Sequence, residues 1–173
     1  MSAIDIPEFV EIDRAPPTWS RVISLLAGTV AFGITVVGYA GGLGIAAVGM
    51  TLLGMGLLTA NRRSLGAGAV ILFLGVVLAA TRMTSPVLPL LGTVAAVVAW
   101  DAGDNGITIG RQLGASSPTA RAEAVHVGAT AAIGLVASGV TYAIYQLASE
   151  NQPLPALVLL LFAVIVLTST LRD

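Results

Sequence analysis

RVISLLAGTVAFGITVVGYAGGLGIAAVGMTLLGMGLLTANR, residues 21–62, runs from Arg21 to Arg62 with no charged residue and no His between its ends. As one helix rising about 1.5 Å per residue, it would be a rod of roughly 60 Å, twice the hydrocarbon thickness of a bilayer. Tyr39-Ala40-Gly41-Gly42, near its middle, has the residues of a turn. The stretch therefore reads as two membrane-crossing helices joined by a short connection. The rest of the chain has the same character: 56% of the 173 residues are apolar, 10% are charged and the mean hydropathy is +0.94. A soluble domain carries about 25% charged residues. There is room for about six spans of roughly 20 residues. With no Cys, disulfides and thiol chemistry are excluded, and a net charge of −1 argues against nucleic-acid binding, which needs a basic face.

Worked outward from this stretch, the chain reads as an all-α integral membrane bundle of six transmembrane helices. Residues 1–17 form an acidic tail in which Asp5, Glu8, Glu11 and Asp13 alternate with apolar residues, and residues 18–173 form the transmembrane domain. Thr18, after Pro16 and Pro17, is the expected N-cap of the first span. The expected spans are 19–39, 43–60, 65–81, 87–114 (including an extension beyond the membrane), 118–148 and 154–171. Asn61-Arg62-Arg63-Ser64, Arg82-Met83-Thr84-Ser85 and Glu150-Asn151-Gln152-Pro153 are polar turns, and Pro86 and Pro89 suit the first turn of the fourth helix. The apolar stretch ahead of Gly38-Tyr39-Ala40 is too long, and its leader too acidic, for a cleaved signal peptide.

All eight basic residues are Arg. Six spans place Arg14, Arg21, Arg62, Arg63, Arg111, Arg121 and Arg172 on one side and Arg82 alone on the other. By the positive-inside rule, both termini are then cytoplasmic and the protein resides in the cytoplasmic membrane. The three hairpins that result, with Gly28, Gly33 and Gly38 echoed by Gly128, Gly134 and Gly139, hint at internal duplication.

Helices in lipid associate through close packing of small residues. These recur at helical spacing in Ser24/Gly28, Ala27/Ala31/Thr35, Gly75/Ala79, Gly92/Ala96 and Gly134/Ser138. The sixth span, dominated by large aliphatic residues over 157–167, suits a lipid-facing perimeter. The membrane core, inside the polar ends of these helices, contains no Asp, Glu, Lys, Arg or His of the kind used by proton- and ion-coupled carriers. Thr29, Thr35, Thr51, Thr93, Thr130, Ser138 and Thr141 could line a polar path, but each hydroxyl is expected to bond its own backbone one turn back.

The one constellation with chemical potential lies between the fourth and fifth helices. At 100° per residue, Asp101, Asp104, Asn105, Thr108, Arg111 and Gln112 share one face, while Gly103, Gly106, Gly110 and Gly114 occupy the opposite face beside Ile107, Ile109 and Leu113. Four helix-interior glycines cost roughly 2–4 kcal/mol relative to Ala, which only close packing against another helix offsets. The expected partner is the arm from Ser117 to His126. Glu123 and His126 have the Glu-x-x-His spacing of di-metal bundles, but that pattern needs the motif twice and the chain has a single His. The favoured reading is an interfacial network with no metal and no cofactor. In it, Arg121 or Arg111 faces Asp101 and Asp104, Glu123 sits near a helix N-terminus and His126 lies deepest. Trp100 is an interfacial anchor.

The Trp100-Asp101 exit, the Arg111-Gln112-Leu113-Gly114 stretch and Arg121-x-Glu123-x-x-His126 resemble a family of small uncharacterised haloarchaeal membrane proteins. Its members are often encoded near MoxR-type ATPases. The resemblance implies a halophilic cytoplasmic membrane and a partner-dependent role, with no catalytic residues to carry over. The expected function is therefore a non-enzymatic accessory or scaffold subunit of a membrane-associated system. Its contacts would be the lipid bilayer and a cytoplasmic or membrane protein partner, met through Asp101, Asp104, Arg111, Arg121, Glu123 and His126. The alternative is a small channel or carrier for an uncharged solute.

Overall fold

The computed structural model describes residues 14–115 and 118–147, among which there is no β-strand. Five α-helices follow in order: α1 Thr18–Gly38, α2 Leu43–Leu58, α3 Arg62–Ala80, α4 Val87–Leu113 and α5 Ala120–Leu147, with a 3-10 turn at Ala40–Gly42 between α1 and α2. All five are long and apolar enough to cross a membrane, α2 together with its preceding turn. The acidic segment 1–13, the turn expected at Glu150–Pro153 and the sixth span expected over 154–171 lie outside the described residues.

The chain divides into two compact units, residues 1–138 and 139–173. In the second, the described residues are 139–147, where Gln146 Nε2 donates to Tyr142 Oη at 3.0 Å. The first unit holds the bundle. In it α1 packs on α2, α3 and α4, and α3 packs on α2 and α4. The core joins Ala31 of α1, Ala46, Leu53 and Leu57 of α2, Leu65, Ala69, Leu72 and Val76 of α3, and Ala96, Ala99 and Ile107 of α4. Between their polar ends the helices turn apolar side chains outward: Val37 is 77% exposed, Leu58 78% and Leu26 63%. Water would not tolerate so continuous an apolar exterior, whereas lipid would cover it.

The small residues sit at the helix contacts. Ser24, Gly28, Ala31 and Thr35 form the buried stripe of α1, and Gly68, Ala69, Gly75 and Ala79 belong to that of α3. At the α2–α3 contact the approach is backbone to backbone: a Cβ on Gly68 would meet the Gly49 carbonyl oxygen at 2.7 Å and Leu53 Cα at 2.8 Å. Thr29, Thr35 and Thr51 donate to the carbonyls of Leu25, Ala31 and Ala47 at 2.8, 2.9 and 2.8 Å, closing their hydroxyls onto their own helices. Thr130 departs from that expectation and bonds to another helix, as described below.

Local chemistry explains the helix ends. The Asn61 side chain accepts from Arg63 N at 3.0 Å and Ser64 N at 3.3 Å, satisfying two of the first N–H groups of α3. Just before it, Ala60 takes a left-handed conformation (φ 50°) and Asn61 N donates back to Gly56 O at 2.9 Å, so α2 ends in a Schellman-type turn. Thr18 is the first residue of α1 and not its cap. Pro17 holds the N-cap position and offers no side-chain hydrogen bond, so α1 begins with N–H groups to be satisfied from elsewhere.

One expectation about packing is overturned. The glycine face of α4 meets the amino-terminal end of α1, not the arm that leads into α5. A Cβ on Gly103 would strike Leu65 and Ser24, one on Gly106 would strike Ser20, and one on Gly110 would strike the main chain of Ala15 and Arg14. The reason is complementarity: Ser20 and Ser24, four residues apart, give α1 a flat face on the same level, and Ser24 Oγ donates to Ala99 O at 2.5 Å. Gly114 is not part of the stripe. It has φ 84° and ends α4, its N–H donating to Gly110 O at 3.1 Å.

Candidate functional site

The connection between α2 and α3, the last turns of α4 and the first turns of α1 and α5 meet at one end of the first unit, and the polar side chains gather there. On α4, Asp101 and Asp104 are three residues apart on one face and serve two separate groups. Asp101 Oδ2 accepts from His126 Nε2 at 3.0 Å and from Thr130 Oγ1 at 2.7 Å, both on α5. His126 and Thr130 are one helical turn apart, so a single carboxylate oxygen ties two successive turns of α5 to α4. Asp104 Oδ1 pairs with Arg62 Nε of α3 at 3.2 Å. The Arg62 guanidinium also donates through Nη2 to Thr108 Oγ1, whose own hydroxyl donates to Asp104 O at 2.8 Å. Arg111 Nη2 donates to Ala60 O at 2.8 Å, holding the left-handed residue of the α2–α3 connection.

Glu123 stands apart from this surface. It is 1% exposed, and its carboxylate faces α1. Oε2 accepts from Ser20 N at 3.0 Å and Ser20 Oγ at 2.5 Å, while Oε1 accepts from Thr119 Oγ1 at 2.6 Å. The carboxylate thus supplies the cap that Pro17 cannot provide to α1, and it lies in the first turn of α5 as well. Two helix N-termini share one buried negative charge, which explains how it is held without a cation among the described residues. Ser20 beside Glu123 has the composition of a nucleophile and base, but Ser20 is 1% exposed and its own N–H binds the same oxygen. The pair is a structural clamp.

Several expectations about the site need correcting. Neither Arg111 nor Arg121 faces the aspartates: Arg62 takes Asp104, Arg111 takes a main-chain carbonyl, and Arg121 is exposed. His126 is not the deepest member. Its side chain is 46% exposed, and Glu123 is the buried one. Glu123 and His126 do not converge, since one turns to α1 and the other to α4. Among the described residues no group of three or more His, Asp or Glu is placed to hold a metal ion. Of the other polar-face residues, Asn105 is half-buried, Gln112 is exposed, and Trp100 is 46% exposed beside them. The residues that sequence reasoning missed are Arg62, Thr130 and Ser20. Antiparallel α3 and α4 put the start of one opposite the end of the other, and that signal was available for Arg62.

What remains accessible is a ledge of mixed charge comprising Arg62, Asp104, Arg111 and His126, contributed by three helices, with the exposed Trp100 on the same face of α4. At the far end of α3, Arg82 lies 5.5 Å over the ring of Tyr39, alone among the described arginines. The model of a family of unknown function, DUF7519, matches residues 14–168, and the chain belongs to that family. No curated protein and no solved structure matches it.

Proposed function

We propose that this DUF7519 protein is a six-span accessory or scaffold subunit of the cytoplasmic membrane, with no catalysis of its own, that meets a protein partner through the arginine-bearing end. The observation that carries the reading is the ledge itself: Arg62–Asp104–Thr108 and Asp101–His126–Thr130 are fixed by interhelical bonds yet present exposed charge. A preorganised polar surface loses little side-chain entropy on binding. The channel alternative draws less support, because the interior is filled by Leu53, Leu57, Leu65, Leu72 and Val76 and the threonine hydroxyls close onto their own backbone. The seven-to-one arginine asymmetry supports a cytoplasmic ledge and two cytoplasmic termini. A partner linked to a MoxR-type ATPase system agrees with the family resemblance.

A photoreactive residue at Gln112, on the exposed polar face, tests this in native membranes. The expected result is one discrete protein adduct that Arg111→Glu abolishes and Arg82→Glu, at the opposite end, preserves. Absence of an adduct, or equal loss in both variants, contradicts the proposal.

A further inference from the structure

A groove of about 490 Å³ runs between α3 and α4, lined by Gly66, Ala69, Val70, Phe73, Ala96, Val97 and Trp100. Its volume is that of a ligand site, and every lining residue is apolar or amphipathic. Gly66 is informative because a Cβ there would meet nothing within 4 Å. No helix contact requires this glycine, although it costs about 1 kcal/mol in a helix. What the missing side chain leaves is the open upper end of the groove.

The chemistry at that end is cationic. Arg63, Gly66, Val70 and Phe73 recur at spacings of three and four along one face of α3, so the arginine stands one turn beyond the groove on the groove's own face. Arg63 is exposed and forms no ion pair among the described residues, whereas the neighbouring Arg62 is tied to Asp104 and Thr108. The start of α3 adds its partial positive charge. Trp100 closes the same level from α4, where an indole suits the boundary between acyl chains and headgroups.

We infer that this groove binds one anionic phospholipid, with an acyl chain lying along Val70, Phe73 and Val97 and the headgroup phosphate at Arg63. The charge matches a phosphate, and the continuous apolar floor excludes a free ion as the natural occupant. The inference rests on the chain spanning a bilayer and is independent of any protein partner.

Trp100 reports occupancy directly once Trp19→Phe leaves it as the sole tryptophan. The Trp19→Phe protein is reconstituted in phosphatidylcholine vesicles containing either brominated phosphatidylglycerol or brominated phosphatidylcholine. The expected result is preferential quenching by the anionic lipid, with a relative association constant of about 5 for the single guanidinium of Arg63 at the groove. Arg63→Gln should return that ratio to about 1. Asp104→Asn, which removes the negative charge that offsets Arg62, should raise it by about fivefold, an increase that general damage would not produce. Gly66→Leu, whose Cβ would meet no neighbour within 4 Å, should occupy the groove and remove the preference. Equal quenching by the two lipids, or a preference unchanged by Arg63→Gln, overturns the site while leaving the membrane-spanning reading intact. No quenching by either lipid overturns both.

Discussion

Gly68→Ala is expected to lower stability in detergent by about 3 kcal/mol or more, while Gly66→Ala, two residues earlier on the same helix, raises it by about 0.5–1 kcal/mol. The two substitutions add the same methyl group to α3 and gain the same helix propensity. They differ in what the methyl meets. At position 68 it enters the main chain of α2, at 2.7 Å from Gly49 O and 2.8 Å from Leu53 Cα. A backbone atom cannot rotate away as a side chain can, so the α2–α3 pair must separate and loosen Leu53, Leu57 and Leu72, all buried in the core. At position 66 it enters open space. Equilibrium unfolding in mixed micelles, followed by circular dichroism, gives both values. Shifts of the same sign and size would remove backbone contact as the basis of the bundle.

Removing the buried carboxylate should have the second large effect. Glu123→Ala leaves the Ser20 N–H and hydroxyl without their acceptor, and each buried group so orphaned costs about 1–3 kcal/mol. The Ser20 N–H belongs to the first turn of α1, which Pro17 leaves uncapped, so no local group replaces the loss. Glu123→Gln should cost less than Ala, because its carbonyl still accepts while its amide N–H₂ opposes a donor. Ser20→Ala combined with Glu123→Ala should cost less than the sum of the two, since they share one interaction. His126→Ala, at a pair that is 46% and 25% exposed, should cost no more than about 1 kcal/mol. A loss at His126 equal to that at Glu123 would contradict this ordering.

Several features of this architecture could be read from the residues, and the reasons are physical. A forty-residue stretch without charge (22–61) cannot cross a bilayer once, so the α1–α2 hairpin and its glycine turn followed from length. The glycine face of α4 followed from cost, because Gly103, Gly106 and Gly110 in a helix demand a close neighbour. Which neighbour did not follow: periodicity marks a flat face and says nothing of what covers it, and the covering residues proved to be Ser20, Ser24 and the main chain at 14–15. The polar end was legible in part. Asp101, Asp104 and His126 lie on the expected faces, but partner choice depends on helix order and rotation, and this gave Arg62 to Asp104 and Thr130 to Asp101. Glu123 was placed correctly at a helix N-terminus. That it also caps a second helix, 103 residues away in sequence at Ser20, is a tertiary fact with no local signature.

In the topology we propose, the arginine-rich end of the bundle and the Arg82 end lie on opposite sides of a cytoplasmic membrane, and a sixth crossing returns residue 173 to the arginine side. Because the chain has no Cys, single cysteines can be introduced one at a time without a background thiol. Arg63→Cys, Arg82→Cys, Arg121→Cys and Asp173→Cys are exposed in turn to a membrane-impermeant maleimide added to intact cells, then again after permeabilisation. The account predicts labelling of position 82 in intact cells, and of positions 63, 121 and 173 only after the membrane is opened. Labelling of 173 together with 82 would contradict the sixth crossing, and labelling of 63 and 82 from the same side would contradict the membrane-spanning bundle itself.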